Sequence, residues 1–202
     1  MKNTWIILLC TLALTSCKDK NIYCVDIGDT LKHWTVYDQT DSIVMHDQLG
    51  NISVLKLTKY NKAPYHQVEK GTFLKKPVLC TGMQSISSDN NFFSLDVEST
   101  SSEYGDVRNP DDYDVKVILN ESMAIFRVKK TDGTETIYPQ NIPETSLKSN
   151  YTGISGTVYP EAIVFSVDTT VSNLNIYHFV YAKNLGLTEY STRVPQRTWK
   201  LQ

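Results

Sequence analysis

Tyr113-Asp114-Val115-Lys116-Val117-Ile118-Leu119, interrupted at Asn120-Glu121-Ser122 and resumed as Met123-Ala124-Ile125-Phe126-Arg127-Val128-Lys129, is the stretch that decides the fold. Side chains along a β-strand alternate between faces with a period of two. In the first run that period puts Val115, Val117 and Leu119 on one face. In the second it puts Ala124, Phe126 and Val128 on one face and turns Arg127 and Lys129 to water. Asp132-Gly133 follows, a dipeptide suited to the positive φ values of a tight hairpin, and leads into a third strand at residues 135–138. The stretch predicts antiparallel strands with one apolar face.

The same signature recurs on both sides. Residues 34–37, 42–46, 52–57, 78–81 and 92–97 are rich in β-branched and aromatic residues and read as strands. Gln48-Leu49-Gly50-Asn51 makes a hairpin of 42–46 and 52–57, with Gly50-Asn51 able to take positive φ. Residues 60–77, punctuated by Pro64 and Pro77, are less regular, with short strands expected at 65–68 and 71–74. Residues 99–112 read as a long polar loop. Beyond the central stretch, a helical turn is expected within 142–149, after Pro143. Residues 154–159 and 162–167 are expected to pair across Pro160-Glu161, residues 174–183 and 187–193 around Asn184-Leu185-Gly186, and 197–201 closes the chain. Turn signals every 8–12 residues or so and little 3.6-residue periodicity define an all-β fold, a single antiparallel sandwich or barrel.

The N-terminus reads differently. Lys2 gives one positive charge, an apolar run extends from Trp5 to Leu14, and Leu14-Thr15-Ser16-Cys17 ends it. The run is about half the ~20 residues a spanning helix needs, and no A-x-A-like site stands at its end. This order resembles a bacterial lipoprotein signal peptide with its lipobox. The resemblance implies cleavage before Cys17, acylation of Cys17, and a mature domain held to a membrane by lipid alone. Lys18 in place of Asp after the cysteine implies an outer-membrane address. Lys18-Asp19-Lys20-Asn21 is not acid-rich, which implies the periplasmic face. The expected organisation is a signal peptide at 1–16, a lipidated tether at 17–30 and one all-β domain at 31–202.

Removing 16 residues from 202 leaves 186, enough for one sizeable core and short for two domains. The net charge of −2 becomes −3 once Lys2 is removed, and such a mixed surface argues against nucleic acid and against electrostatic docking on an anionic bilayer. Cys10 leaves with the signal peptide and Cys17 carries lipid, so Cys24 and Cys80 remain, either as a disulfide in an oxidising periplasm or as two thiols.

No catalytic constellation stands out. His33, His46, His66 and His178 are scattered without metal-ligand spacing. The acidic run Glu103, Asp106, Asp111, Asp112 and Asp114 does not follow a calcium-loop pattern. No G-x-S-x-G, S-x-x-K, H-E-x-x-H or phosphate-loop motif is present. Three N-x-[ST] triplets begin at Asn51, Asn120 and Asn150, and three D-[ST]-x triplets at Asp29, Asp41 and Asp168, at a frequency that carries little signal. The 12 tyrosines, with Trp34 and Trp199, are read as packing before ligand contact.

Tyr181-Ala182-Lys183-Asn184-Leu185-Gly186-Leu187, Tyr190 and Trp199-Lys200-Leu201 resemble the closing hairpin of small β-rich bacterial lipoproteins, with Tyr190 and Trp199 expected to cover an edge. The expected protein is therefore a lipid-anchored envelope module without enzyme activity, metal or cofactor, whose partner is an envelope protein or a small ligand. The alternatives are a lipocalin-like barrel holding a small apolar ligand, favoured by a deep apolar cavity, and a hydrolase, favoured by a cleft gathering histidine and carboxylates.

Overall fold

Among the described residues twelve strands follow one another: β1 (Ser42–Asp47), β2 (Ile52–Tyr65), β3 (Thr81–Ser88), β4 (Phe93–Thr100), β5 (Asp112–Leu119), β6 (Ser122–Thr131), β7 (Thr134–Pro139), β8 (Thr145–Thr152), β9 (Val158–Ser166), β10 (Ile176–Ala182), β11 (Gly186–Thr192) and β12 (Arg197–Leu201). The computed structural model describes residues 31–37, 40–65, 81–100, 112–140 and 143–202, and no helix occurs among them. All pairings are antiparallel, in one sheet of order β7-β6-β5-β4-β3-β2-β1-β12-β11-β10-β9-β8. Each strand lies beside its neighbours in sequence, with one exchange. The first and last strands pair, Met45 with Leu201 and Asp47 with Trp199. The seam falls instead between β7 and β8, which approach each other as the sheet curls into a nearly closed barrel.

The period-two pattern of the central stretch fills the inside. Val115, Val117, Leu119, Ala124, Phe126 and Val128 are fully buried. Asp132 and Gly133 have φ of 50° and 78°, so the tight turn between β6 and β7 forms as its residues require. In the β1–β2 turn Gly50 takes positive φ and Asn51 does not. There the Asp47 carboxylate accepts from Leu49 N–H, Asn51 N–H and Asn51 Nδ2 at 2.7–2.9 Å, and Arg197 Nη1 reaches it at 2.8 Å from β12. Burial opposes ionisation of Asp47, but these bonds and the Arg197 charge outweigh it and hold the carboxyl below the usual range.

Several elements differ from the sequence reading, each because a partner in space overrides a local signal. Residues 34–37 form no strand. Residues 31–37 form turns in which Trp34 N–H and Thr35 N–H both donate to the Leu31 carbonyl, at 2.7 and 2.9 Å. The near-helical spacing brings Leu31, Trp34 and Tyr37 together into the core cluster. Of the strand expected at 78–81 only Thr81 falls among the described residues, as the first residue of β3, which runs on to Ser88. Two of its inward positions, Gln84 and Ser88, are polar and hide the alternation around buried Ile86. The helical turn expected at 142–149 is instead β8, held by its ladder to β9.

The hairpin across Pro160-Glu161 does not exist. β9 runs straight through that pair, and the turn is at 153–157, where Gly156 has φ 82°. Proline is accommodated because position 160 faces β8, and the β8–β9 ladder skips it: Ser149 pairs with Glu161 and Tyr151 with Tyr159, while Asn150 opposite Pro160 leaves the strand conformation at φ 51°. Tyr190 and Trp199 do not cover an edge. β12 pairs with β1, and the two rings stack inside the barrel with centroids 5.9 Å apart. The polar stretch after residue 99 starts later than expected, since β4 extends to Thr100; residues 66–80 and 101–111 lie outside the described residues.

Candidate functional site

Cys17, Cys24, Cys80, His66, Glu103, Asp106 and Asp111 lie outside the described residues. Among the described residues no group of three or more His, Cys, Asp or Glu is placed to hold a metal.

The interior is occupied by side chains. The turns at 31–37 insert from the end of the barrel where the chain arrives, here the lower end. The Trp34 ring lies 5.0 Å from Phe126 and 6.4 Å from Tyr181, and Tyr37 lies 5.4 Å from Phe93. Tyr181 O–H donates to the Trp34 carbonyl at 2.5 Å, and Leu187 N–H donates to the Tyr37 hydroxyl oxygen at 2.5 Å. Burial pushes the Tyr37 hydroxyl far above its usual range. Gly186, at φ 75°, brings the chain against the Tyr37 ring, where a Cβ would overlap the hydroxyl. Higher in the barrel, Ser122 Oγ–H of β6 donates across to the Ile176 carbonyl of β10 at 2.5 Å.

Two polar clusters lie outside this core. The first is on the outer face. The tip of the β8–β9 hairpin folds over β10 and β11 and buries a satellite of Tyr159, Ala162, Val164, Val180 and Ala182. Beneath it Glu189 is wholly buried. Its carboxylate accepts from Ile154 N–H at 2.9 Å and Ser155 N–H at 3.3 Å, and His178 Nε2 lies 3.9 Å away. Tyr151 O–H lies 3.5 Å from the same His178 nitrogen. The turn fits so closely that Gly153 has no room for a Cβ against Glu189. Burial works against ionising Glu189, while His178 and the two amides more than offset it and hold the carboxyl below its usual range. Histidine and carboxylate do meet here, but beneath a packed hairpin, where they clamp its tip to the barrel.

The second cluster is at the lower end. A cavity of about 490 Å³ is lined by Lys32 and His33 of the arriving turns, Lys130, Gly133 and Glu135 of the β6–β7 hairpin, and Lys183 and Asn184 after β10. Lys183 Nζ sits 3.0 Å from both Glu135 and Glu161, and so ties β7 to β9 across the seam that β8 and β7 leave without hydrogen bonds. Burial lowers the Lys183 pKa, but the two carboxylates more than compensate and raise it. The same ammonium stands 5.8 Å from the Trp34 ring centre, a cation–π contact. His33 Nδ1–H donates to Asn184 Oδ1 at 2.6 Å, and Asn184 N–H to the His33 carbonyl at 2.7 Å.

Of the residues singled out in the sequence, His33 joins this cavity and His178 the outer-face clamp. His46 bonds Gln202 at 3.0 Å, and Asp114 pairs with Arg127 at 2.7 Å. Lys32, Lys130, Glu135 and Glu189 carried no signal; Lys183 is 48 positions from Glu135, and the Ile154 and Ser155 amides are 35 and 34 positions from Glu189. The chain is thus a nearly closed, twelve-stranded meander barrel with a filled middle and a charged lower end. Comparison with protein-family models, curated proteins and solved structures gives no match.

Proposed function

We propose that the protein is a lipid-anchored, non-catalytic binding or structural module of the cell envelope, held through Cys17 to the outer membrane and facing the periplasm. The filled barrel carries the non-catalytic, outward-facing part of this reading. With Trp34, Tyr37, Phe93, Phe126 and Tyr181 packed together inside, partners are met at the outer wall and the ends. The anchor is supported by Leu14-Thr15-Ser16-Cys17 alone. Labelled palmitate is expected to enter the wild-type chain and not Cys17→Ala, whose precursor also stays uncleaved at this site. Equal labelling of both would end the anchor assignment.

The barrel architecture itself favours a second reading, a carrier of a small apolar ligand of the lipocalin-like kind. The two separate on a fluorescent fatty acid such as cis-parinaric acid. The module reading expects no saturable one-to-one binding, since the centre of the barrel is aromatic side chain. Saturable binding abolished by enlarging a core residue, for example Ala124→Phe, would replace it with the carrier reading.

A further inference from the structure

We propose that the free edge of the β1–β2 hairpin pairs with the same edge of a second copy of this chain, antiparallel and about a two-fold axis. The ladder of the hairpin supplies the geometry. Leu57 N–H donates to the Asp41 carbonyl at 2.9 Å, and Asp47 N–H to the Asn51 carbonyl at 3.0 Å. Hydrogen-bonded pairs alternate along an antiparallel ladder. With Ser42 opposite Lys56 and His46 opposite Ile52, the odd-numbered residues of β2 therefore bond to β1. Ile52, Val54 and Lys56 turn their N–H and C=O groups the other way, toward β3. β3 meets only the later part of that edge. Its ladder with β2 ends at the Leu57–Ser88 pair, followed by one bond from Asp89 N–H to the Lys56 carbonyl at 3.0 Å. Among the described residues nothing pairs with the backbone of Ile52 and Val54 on this side. The other flank of the hairpin is closed, since β12 pairs with β1.

The side chains along this edge are as bare as its backbone. Ile52 and Val54 face outward, 62% and 53% exposed, and Leu49 at the hairpin tip is 71% exposed. No charged residue and no proline stands from Gln48 to Leu55. Sheet proteins ordinarily protect such an edge with lysine, proline, a bulge or a covering segment. A second copy is the occupant this edge suits. Two-fold antiparallel pairing matches donors with acceptors, since each copy offers both on the same alternate residues. It sets Ile52 and Val54 of one copy beside those of the other on the outer face, where apolar cross-strand pairs stabilise a sheet. It also sends the two Lys56 side chains to opposite ends of the pairing, so the first like charges along β2 do not meet. A charge-free strand gives a partner of opposite charge nothing to select. The contact is short, well below the ~800 Å² per partner of a standard interface, so the dimer forms reversibly with concentration.

Sedimentation equilibrium of the full-length protein in a neutral detergent, over a range of protein concentrations, tests this. A reversible monomer–dimer equilibrium is expected. Ile52→Lys/Val54→Lys and Ile52→Glu/Val54→Glu each place like charges across the two-fold axis, and each alone is expected to weaken the dimer about tenfold or more. Mixed in equal amounts, the two variants set lysine against glutamate, and dimer is expected to return as a heterodimer. Both positions are exposed, and an unchanged far-UV circular dichroism spectrum certifies the fold of each variant. Wild type that stays monomeric at every concentration would overturn the proposal. A dimer untouched by either double substitution would put the contact elsewhere and overturn it equally. So would folded variants that stay monomeric when mixed.

Discussion

Trp34→Ala is expected to lower the unfolding free energy by about 3–5 kcal/mol, the range for deleting a large aromatic from a core. Trp34 is completely buried. Its ring touches Phe126 of β6 and Tyr181 of β10, two strands from opposite walls, and its carbonyl receives the Tyr181 hydroxyl. Its indole Nε1 makes no hydrogen bond among the described residues, so the loss is one of packing and cavity formation rather than of a polar partner. The turns at 31–37 have no strand ladder of their own; burial, with bonds to Tyr181, Asn184 and Leu187, holds them. Truncation at Trp34 should therefore also loosen Leu31 and Tyr37. Urea unfolding at pH 7 checks this, with Val171→Ala, at an 82% exposed position, as the silent control. A loss below about 1 kcal/mol would mean that the turns do not plug the barrel.

Glu189→Ala is expected to cost about 2–5 kcal/mol, since two amides lose a buried acceptor, at about 1–3 kcal/mol each. The amides of Ile154 and Ser155 would lose their acceptor, and His178 its neighbour, under a hairpin that keeps water out. The effect depends on pH with a definite sign. The folded carboxyl is held below its ordinary pKa, so its contribution is fully present above the unfolded value of about 4.3. It is lost as pH falls through the lower, folded value. Stability of the wild type should therefore fall on acidification through this window more steeply than that of Glu189→Gln, which keeps an acceptor but cannot titrate. Parallel urea midpoints for the two proteins between pH 3 and 7 would remove Glu189 from the acid limb.

These two residues mark where sequence reasoning stops. The hairpins of β1–β2, β5–β6, β6–β7 and β10–β11 were legible because each is local: a two-residue apolar period on both strands, and a turn at Gly50, Asn120, Asp132-Gly133 or Asn184-Leu185-Gly186 that accepts positive φ. Strand β12 was legible at both bounds. The carboxylate of Glu189 was not, because its donors come from a turn 34 and 35 positions away. Lys183 was visible only as part of a hairpin, since its two carboxylates lie on β7 and β9.

By itself the sequence determined an all-β chain of antiparallel strands with one buried face, because alternation and turn chemistry are properties of neighbouring residues. It left sandwich and barrel open, read residues 34–37 as a strand, and turned the chain at Pro160 instead of at 153–157. Tertiary structure alone decided these. A barrel exists because β12 finds β1, a pairing of Met45 with Leu201 across the whole chain that no local pattern encodes. Trp34 sits in a turn because the barrel's lower end has an apolar opening for it to fill, and burying Leu31, Trp34 and Tyr37 there stabilises more than one short strand would. Pro160 stays within a strand because the β8 residue opposite it, Asn150, turns to φ 51° and makes no ladder pair there, so the missing N–H costs no ladder bond.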